Sequence, residues 1–358
     1  MKALIAMSGG VDSSTVAYLM KERGFECHGA TMRLFSPSTA NSSELVKENS
    51  DNDISDANQV ADKLGIKYSV IDCSIDFQKY VIENFIKVYE NGGTPNPCVQ
   101  CNKYLKFAAL IDYMDEGDID KIATGHYARV EFDNITNRWL LKKALDLSKD
   151  QSYVLYNLTQ EQLSKIVFPL GELTKDEART IAEKQGFVNA NKKDSQDICF
   201  IPDGDYASFL ERATGRTYEP GNFVSTNGEI LGTHNGIIRY TIGQRKGLGV
   251  SSSAPLFVIG INPERNEVIL SHSEGLFKKS VIISDYNLIS IPDVTGEIRV
   301  KAKIRYRQVE QPAILRRFDD THLELVFDEP QRAPTIGQSA VIYDGDIVVG
   351  GGIICQTR

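Results

Sequence analysis

At 358 residues the chain is too long for one comfortable core, and two or three domains are the natural expectation. Its 41% hydrophobic and 25% charged residues are ordinary for a soluble globular protein, and no apolar run is long enough to span a bilayer, so the expectation is a cytoplasmic protein with no membrane role. A formal net charge of −8 argues against indiscriminate binding of a polyanion by the whole-molecule field, so any nucleic-acid contact has to come from a local basic surface.

In chain order, Ala3 to Met7 is a short apolar run suited to a strand buried on both faces, cut off at once by Ser8-Gly9-Gly10. Val16, Ala17, Leu19 and Met20 then fall at helical spacing before Gly24. Gly29 to Leu34 suits a second strand, and Ser36 to Ser50, rich in Ser and Asn, reads as a flexible loop. Ser55 to Leu64 predicts a helix ended by Gly65, Ile66 to Ile71 a third strand, and Asp76 to Tyr89 a helix with Phe77, Val81, Phe85 and Val88 on one stripe. Ile119 to Thr124 resembles a further strand, ending in Gly125-His126-Tyr127. This alternation implies an α/β fold whose N-terminal part is a doubly wound parallel sheet, with the ligand site at the carboxyl ends of its strands.

A helical region follows over Gln151 to Gln185, in which Thr174 and Glu177 have capping-box spacing and Gly186 sits at a C-cap. From about residue 207 the pattern becomes short alternating segments with turn signals at Gly228-Glu229, Asn235-Gly236, Asn262-Pro263 and Asp344-Gly345. The expected division is 1–206 for the α/β domain, 207–282 for a small β-rich central domain and 283–358 for a C-terminal β-barrel.

Ser8-Gly9-Gly10-Val11-Asp12-Ser13-Ser14 follows the first strand and opens a helix. There the free N–H groups and the positive end of the helix dipole converge, and glycine lets a phosphate approach. No Gly-Lys-Ser/Thr is present, so the lysine of a Walker-type loop is missing. SGGVDS resembles the PP-loop of the ATP pyrophosphatases, which cleave ATP between the α and β phosphates to adenylate a substrate. The resemblance implies that Ala6, Met7, Ser8, Gly9, Gly10, Val11, Asp12 and Ser13 hold the pyrophosphate portion, with Asp12 near its Mg2+.

Six cysteines are too sparse for a secreted disulfide scaffold. Thr94-Pro95-Asn96-Pro97-Cys98-Val99-Gln100-Cys101-Asn102-Lys103 places a CxxC after a proline-fixed loop and before an apparent helix, where a thiol is expected to shift toward thiolate. Cys199 lies in Asp194-Ser195-Gln196-Asp197-Ile198-Cys199-Phe200. Three readings compete for these thiols: buried structural cysteines, a zinc site short of a fourth ligand, and redox or sulfur-transfer chemistry, which is favoured.

Together with Thr124-Gly125-His126-Tyr127-Ala128-Arg129, Lys149-Asp150-Gln151-Ser152-Tyr153 and Ile242-Gly243-Gln244-Arg245-Lys246-Gly247-Leu248-Gly249, these motifs make the whole chain resemble the tRNA-specific 2-thiouridylase (MnmA) family. The resemblance implies ATP-dependent exchange of the wobble uridine O2 for sulfur, with Cys101 as nucleophile and Cys199 as persulfide carrier, the two ending as a disulfide. It puts Met32 and Gly125 at the adenosine, and Asn96, Pro97, Cys98, His126, Lys149, Asp150, Gln151, Arg305, Tyr306 and Gln338 at tRNA. It further implies tRNAs accepting Lys, Glu and Gln as substrates, and a cysteine desulfurase or sulfur-relay protein as donor.

Many family members have an aspartate where this sequence has Cys98. Cys98 could substitute as a proton carrier, or Cys98, Cys101 and Cys199 could hold a [4Fe–4S] cluster with one iron open. Arg299 to Arg307 carries a cation at every odd position, and strand periodicity would set all five on one face as a phosphate contact, with Tyr306 able to stack on a base or sugar. Gly243 to Gly249 reads as a mobile basic loop. The competing classes are a PP-loop amidating ligase, which needs no cysteine, and a non-catalytic RNA- or nucleotide-binding protein.

Overall fold

The computed structural model describes residues 1–35, 44–192 and 198–358. In chain order its first elements are β1 (Lys2–Ala6), α1 (Val11–Glu22), β2 (Glu26–Arg33), α2 (Glu44–Leu64), β3 (Lys67–Asp72), α3 (Ser74–Phe77) and α4 (Glu83–Glu90). Next come α5 (Pro97–Cys101), α6 (Phe107–Glu116), β4 (Lys121–Ala123), β5 (Ala128–Asp133), β6 (Arg138–Lys143), α7 (Gln160–Lys165), β7 (Ile166–Val167), α8 (Lys175–Lys184) and α9 (Tyr206–Thr214). The remainder is β8 (Gly221–Ser225), β9 (Ile230–His234), β10 (Phe257–Asn262), β11 (Glu267–Ser271), β12 (Phe277–Leu288), β13 (Ile298–Lys303), β14 (Gln311–Arg317), β15 (Leu323–Arg332), β16 (Ser339–Asp344) and β17 (Ile347–Thr357).

The chain divides into two compact units: residues 1–81, 98–202 and 346–348 form one, and residues 82–97, 203–345 and 349–358 the other.

In the first unit five parallel strands run in the order β3-β2-β1-β4-β7. The chain winds outward from β1 to β3 and then returns to the other side of β1, so strand order reverses between β1 and β4. That reversal opens a crevice beyond the strands' carboxyl ends, the usual ligand position of such sheets. Successive residues of β1 serve opposite faces, which is why an unbroken apolar run is needed there. Ala3 and Ile5 join the core that includes Val16, Ala17 and Met20 of α1, Ala57, Val60 and Ala61 of α2, and Ala178 and Ala182 of α8. Leu4 joins Leu110 and Met114 of α6 with Ile122 of β4.

Thr174 caps α8 with the reciprocal Glu177 bond the spacing predicts, and Gly186 follows with φ of 61°. The hairpin β5–β6 lies in the same unit, tied to residues 346–348 by the Ile347–Lys142 pairing and by Arg129 with Asp346 at 2.6 Å. At Gly171 an added Cβ would stand 1.8 Å from the Ala128 carbonyl oxygen, so only glycine lets this turn pass under the start of β5.

Up to residue 185 three expectations change. The segment expected to be a loop up to Ser50 is helical from Glu44, with Val46 buried at the start of α2; residues 36–43 lie outside the described residues. Helical spacing of Val46 with the buried Ala57, Val60, Ala61 and Leu64 outweighs local Ser and Asn content. The region Gln151 to Gln185 is a 3-10 turn at Ser152–Val154, α7, the two-residue strand β7 and α8, because Ile166 and Val167 complete the sheet beside β4. The helix over Asp76 to Tyr89 is interrupted by a π-helical turn at Gln78–Ile82.

In the second unit, α4 and α9 pack through rings, Phe85 lying 5.8 Å from Phe209 and Tyr89 6.4 Å from Tyr206. A small sheet runs β10-β11-β8-β9, with only β11 and β8 parallel. The six strands β12-β15-β14-β13-β16-β17 close on themselves through the β12–β17 pairing. The closed barrel is filled by Val281, Ile283, Val300, Leu315, Leu325, Phe327 and Ile342.

The five-cation face expected over Arg299 to Arg307 does not form. Strand β13 ends at Lys303, Ile304 is buried, and Arg305 to Arg307 lie on the turn that follows. Arg299 is paired with Asp328 and Lys303 with Glu310, so the alternation builds ion pairs across the barrel wall rather than a continuous cationic stripe.

Gly171→Ala should cost several kcal/mol and lower the thermal midpoint sharply, because the backbone itself is the obstacle. Gly24→Ala, with φ of +81° but nothing within 4 Å, should cost only about 1–2 kcal/mol. Thermal melts of the two variants side by side test this difference.

Candidate active site

The glycine turn sits at the carboxyl end of β1 and opens α1, beside the strand-order reversal. Gly10 is extended (φ −95°, ψ 163°) and precedes the helix, whose first turn carries Asp12, favourably placed at the positive end of the dipole. Gly9 has φ of +68°, and a Cβ on it would meet the Asp53 carbonyl oxygen at 2.4 Å, so this position has room for neither a side chain nor another conformation. The Ser13 hydroxyl donates to the Gly10 carbonyl at 3.0 Å and accepts from the Ser8 N–H at 3.1 Å, closing the loop on itself. Ala6 and Met7 lead into it. Met7 is buried, its carbonyl accepting from Thr31 at 2.6 Å, and Val11 is buried behind the turn.

Gly125 follows β4 on the other side of the reversal. A Cβ there would stand 3.2 Å from both Asp12 Cβ and the Ser13 nitrogen, so β4 delivers a bare backbone against the start of α1. Met32, next to last in β2, lies on the opposite flank, partly exposed. The expected nucleotide residues thus gather around one crevice.

Four side chains from outside the glycine motif also hold this turn. Both carboxylate oxygens of Asp12 accept from Lys175 Nζ at 2.8 Å, and one accepts from the Tyr127 hydroxyl at 2.9 Å. Lys175 is buried and stands in the first turn of α8, where the helix dipole disfavours a cation, so its place there is set by Asp12. Asn189, also buried, donates to the Gly9 carbonyl and the Ser14 hydroxyl, each at 2.9 Å. Lys192 pairs with Asp53 and Asp56 at 2.8 and 2.7 Å and reaches the Gly9 carbonyl at 3.4 Å. Lys175 thus supplies, from 163 residues away, a cation beside a loop that lacks a lysine of its own.

The thiols come from two segments of the same unit. Cys98 is exposed on the first turn of α5, Cys101 is its last residue, and Cys199 is exposed. Residues Asp194 to Asp197 of the Cys199 motif lie outside the described residues. Phe200 anchors Cys199, its ring packing edge-on against Phe77 at 5.7 Å, and Phe77 in turn packs against Phe35 at 5.3 Å. The next helical segment, Asn102–Lys106, is π-helical. Buried Asn102 within it donates to the Val154 carbonyl at 3.0 Å, joining the cysteine motif to the segment that follows Gln151.

The expected shift of the CxxC thiols toward thiolate is reversed. Although Cys98 and Cys199 keep part of their surface open to solvent, protein packed around the three sulfurs disfavours the charged form and raises the pKa of Cys98, Cys101 and Cys199, the last to about 12, while repulsion from neighbouring thiolates raises Cys101 and Cys199 further. The five-residue α5 is too short to offset desolvation. The charge of Lys106 acts the other way on all three. In an α-helix residues five apart point about 140° from each other. The i→i+5 bonding of the π turn swings Lys106 back toward the face of Cys101.

Among the remaining expected contacts, His126 is buried between Phe107 and Phe168, with Nδ1 2.7 Å from the Thr124 hydroxyl and Nε2 3.5 Å from Lys106 Nζ. Burial first, and Lys106 second, hold its pKa well below the ordinary value, so the imidazole is neutral. Gln151 is clasped to Tyr127, accepting from its N–H at 3.1 Å while donating its own N–H to the Tyr127 carbonyl at 2.9 Å. Asp150 accepts from the Ala144 and Ser152 backbone, and Lys149 precedes it, partly exposed.

In the second unit, Gln338 donates to the carbonyls of Thr94 and Pro95, both at 3.0 Å, holding the rigid loop of Asn96 and Pro97. Arg305 donates to the Ala333 carbonyl at 2.5 Å, and Tyr306 is exposed on the turn beside it.

A glycine-turn nucleotide cradle at the switch point of a parallel sheet, with thiols in the same unit and β-rich segments after it, defines a PP-loop enzyme. Family profiles agree along the chain: one described as tRNA methyl transferase HUP domain matches residues 1–203, one as tRNA methyl transferase PRC-barrel domain 207–272, and one as Aminomethyltransferase beta-barrel domain 278–354. The chain belongs to the MnmA family of tRNA-specific 2-thiouridylases. It is 49% identical to tRNA-specific 2-thiouridylase MnmA 1 of Caldanaerobacter subterraneus subsp. tengcongensis, over 99% of this chain and 97% of that protein. It is 48% identical to the MnmA of Clostridioides difficile (99% and 98% covered) and 47% to that of Acetivibrio thermocellus (99% of each).

Alkylation tests the thiol environment. Cys101 and Cys199 should react slowly with iodoacetamide at neutral pH, their rates climbing only as pH passes the ordinary thiol value of 9.0. Lys106→Met, by removing the cation that favours all three thiolates, should move the profile to still higher pH, read by peptide mass spectrometry. An unchanged profile would mean that Lys106 does not act on them.

Proposed function

We propose that this chain replaces the O2 of the tRNA wobble uridine with sulfur at the expense of ATP. The observation that carries the reading is that the phosphate cradle and the three thiols Cys98, Cys101 and Cys199 are built into one compact unit. A carbonyl oxygen is a poor leaving group until it is joined to AMP, which accounts for the ATP. In this reading Ala6 to Ser13 receive the phosphates of ATP, and Met32 and Gly125 border its adenosine. Hard oxygen donors suit Mg2+, and Asp12 is the carboxylate placed to share it; with phosphate present, Lys175 can turn from Asp12 to the new anion. Mg2+ would neutralise charge on the departing pyrophosphate.

The uridine O2 attacks the α-phosphate and pyrophosphate leaves. The terminal sulfur of a Cys199 persulfide then adds at C2 and AMP departs. Attack of the Cys101 thiolate on Cys199 Sγ releases the thiolated base and leaves a Cys101–Cys199 disulfide, which a thiol reductant must reopen. Cys98, its thiolate disfavoured by the protein packed around the sulfur, keeps its proton and serves as proton carrier where many relatives have a carboxylate. Among the described residues no three His, Cys, Asp or Glu side chains converge as ligands, so in this reading the persulfide and not a [4Fe–4S] cluster carries the sulfur.

The tRNA contacts Asn96, Pro97, Cys98, His126, Lys149, Asp150, Gln151, Arg305, Tyr306 and Gln338, acceptors for Lys, Glu and Gln, and a desulfurase or relay protein as sulfur donor are parts of the same proposal. So are the domain limits 1–206, 207–282 and 283–358, supported by family profiles that end at 203 and 272 and resume at 278. Among the described residues no helix is long and apolar enough to cross a membrane, and a cytoplasmic site of action is proposed with the rest.

Incubating the protein with ATP, Mg2+, unmodified tRNA and a persulfide donor should yield AMP, pyrophosphate and 2-thiouridine, the last read by nucleoside mass spectrometry. Cys101→Ser and Cys199→Ser should abolish thiolation while pyrophosphate release continues, and Cys98→Asp should retain activity that Cys98→Ala loses. Thiolation by Cys101→Ser at the wild-type rate would sink the sulfur relay, whereas AMP release without any thiolated base, unchanged in both serine variants, would favour an amidating ligase.

A further inference from the structure

Two π-helical turns meet beside the thiols, Gln78–Ile82 and Asn102–Lys106. Such turns are rare and concentrate at functional sites. Tyr80 of the first and Tyr104 of the second stack with ring centroids 5.3 Å apart and planes 15° from parallel. The Lys79 ammonium lies 4.8 Å from the Tyr80 centroid and that of Lys103 4.9 Å from the Tyr104 centroid. The group faces solvent: Tyr104 is 39% exposed, Lys79 is exposed and Tyr80 half-buried.

The location is what gives the pair a use. Tyr104 stands one helical turn beyond Cys101, and Tyr80 one turn beyond Phe77, whose ring holds the neighbour of Cys199. The stacked rings are therefore the outward continuation of the two helical runs that position the thiols.

Building on the tRNA reading above, we propose that Tyr80 and Tyr104 form a stacking platform for a nucleotide next to the one being thiolated, with Lys79 and Lys103 taking its phosphates. Flat aromatic rings with adjacent cations are the combination that binds splayed-out single-stranded RNA. An exposed ammonium over a ring is held weakly, and a base stacks on the same ring more strongly, so an arriving base displaces the lysine toward phosphate. On a chain of net charge −8, phosphate contacts have to be made by local cations such as these. Ile75, exposed on the same helical run, is a single apolar side chain of the kind any surface carries, so the patch fits RNA better than a protein partner.

The test is titration of unmodified tRNA, and of its anticodon stem-loop carrying 2-aminopurine beside the wobble uridine, at several salt concentrations. Tyr104→Ala should weaken binding about tenfold and lose the quenching that stacking causes, whereas Tyr104→Phe should keep both. Lys79→Gln should reduce the salt slope by about one. ATP binding and the melting temperature should stay at wild-type values in all three. If Tyr104→Ala binds and quenches like wild type, the platform is overturned while the thiolation reading stands; if the wild-type protein itself fails to bind tRNA, both fall. If Tyr104→Ala binds tRNA normally but accepts sulfur slowly from a persulfide-loaded donor protein, the patch belongs to that donor and the RNA assignment is wrong.

Discussion

The hold of Lys175 on Asp12 organises the first unit. A carboxylate in the first turn of α1 is favoured by the dipole, but a lysine in the first turn of α8 is not, and burying that lysine alone would be prohibitive. The pair satisfies both groups, and in doing so fixes α8 against α1 and draws in the Tyr127 hydroxyl from beyond β4. Asn189 and Lys192 add a second grip on the Gly9 carbonyl. The glycine turn is therefore shaped by residues scattered over most of the unit, and its geometry depends on the whole sheet being assembled.

The thiols follow a different logic. Their wall desolvates them, so each is kept protonated until something favours the anion, and Lys106 is the cation the structure brings to that task. A free, permanently ionised thiol would be open to adventitious oxidation. Holding Cys101 and Cys199 as thiols ties their reactivity to what enters the cleft.

Much of this was legible in the sequence where local and global preferences agree. The unbroken apolar run of Ala3 to Ile5, the glycine turn and the Thr174–Glu177 capping box each dictate their own structure over a few residues. What stayed hidden depends on partners far along the chain. Lys175 reads as an ordinary helix-start lysine until Asp12 is beside it, and β7 is two residues whose strand character comes from β4 alone. Arg299 to Arg307 showed the opposite failure: perfect alternation continued past the residue at which the strand ends. The π turns leave no periodic trace, yet they decide that Lys106 and not some other lysine faces Cys101.

The chain changes unit at 81/82, 97/98, 202/203, 345/346 and 348/349. Residues 346–348, which close the edge of the β5–β6 hairpin through Asp346 and Ile347, arrive long after it, Asp346 following its partner Arg129 by 217 residues. A nascent chain emerging from the ribosome must therefore keep the hairpin without this strand partner until the barrel strands up to residue 348 have been made. The nucleotide-binding half cannot be completed by any fragment that stops short of the barrel's last strand, so a chain truncated by premature termination is left with an unsealed edge in the half that would bind ATP.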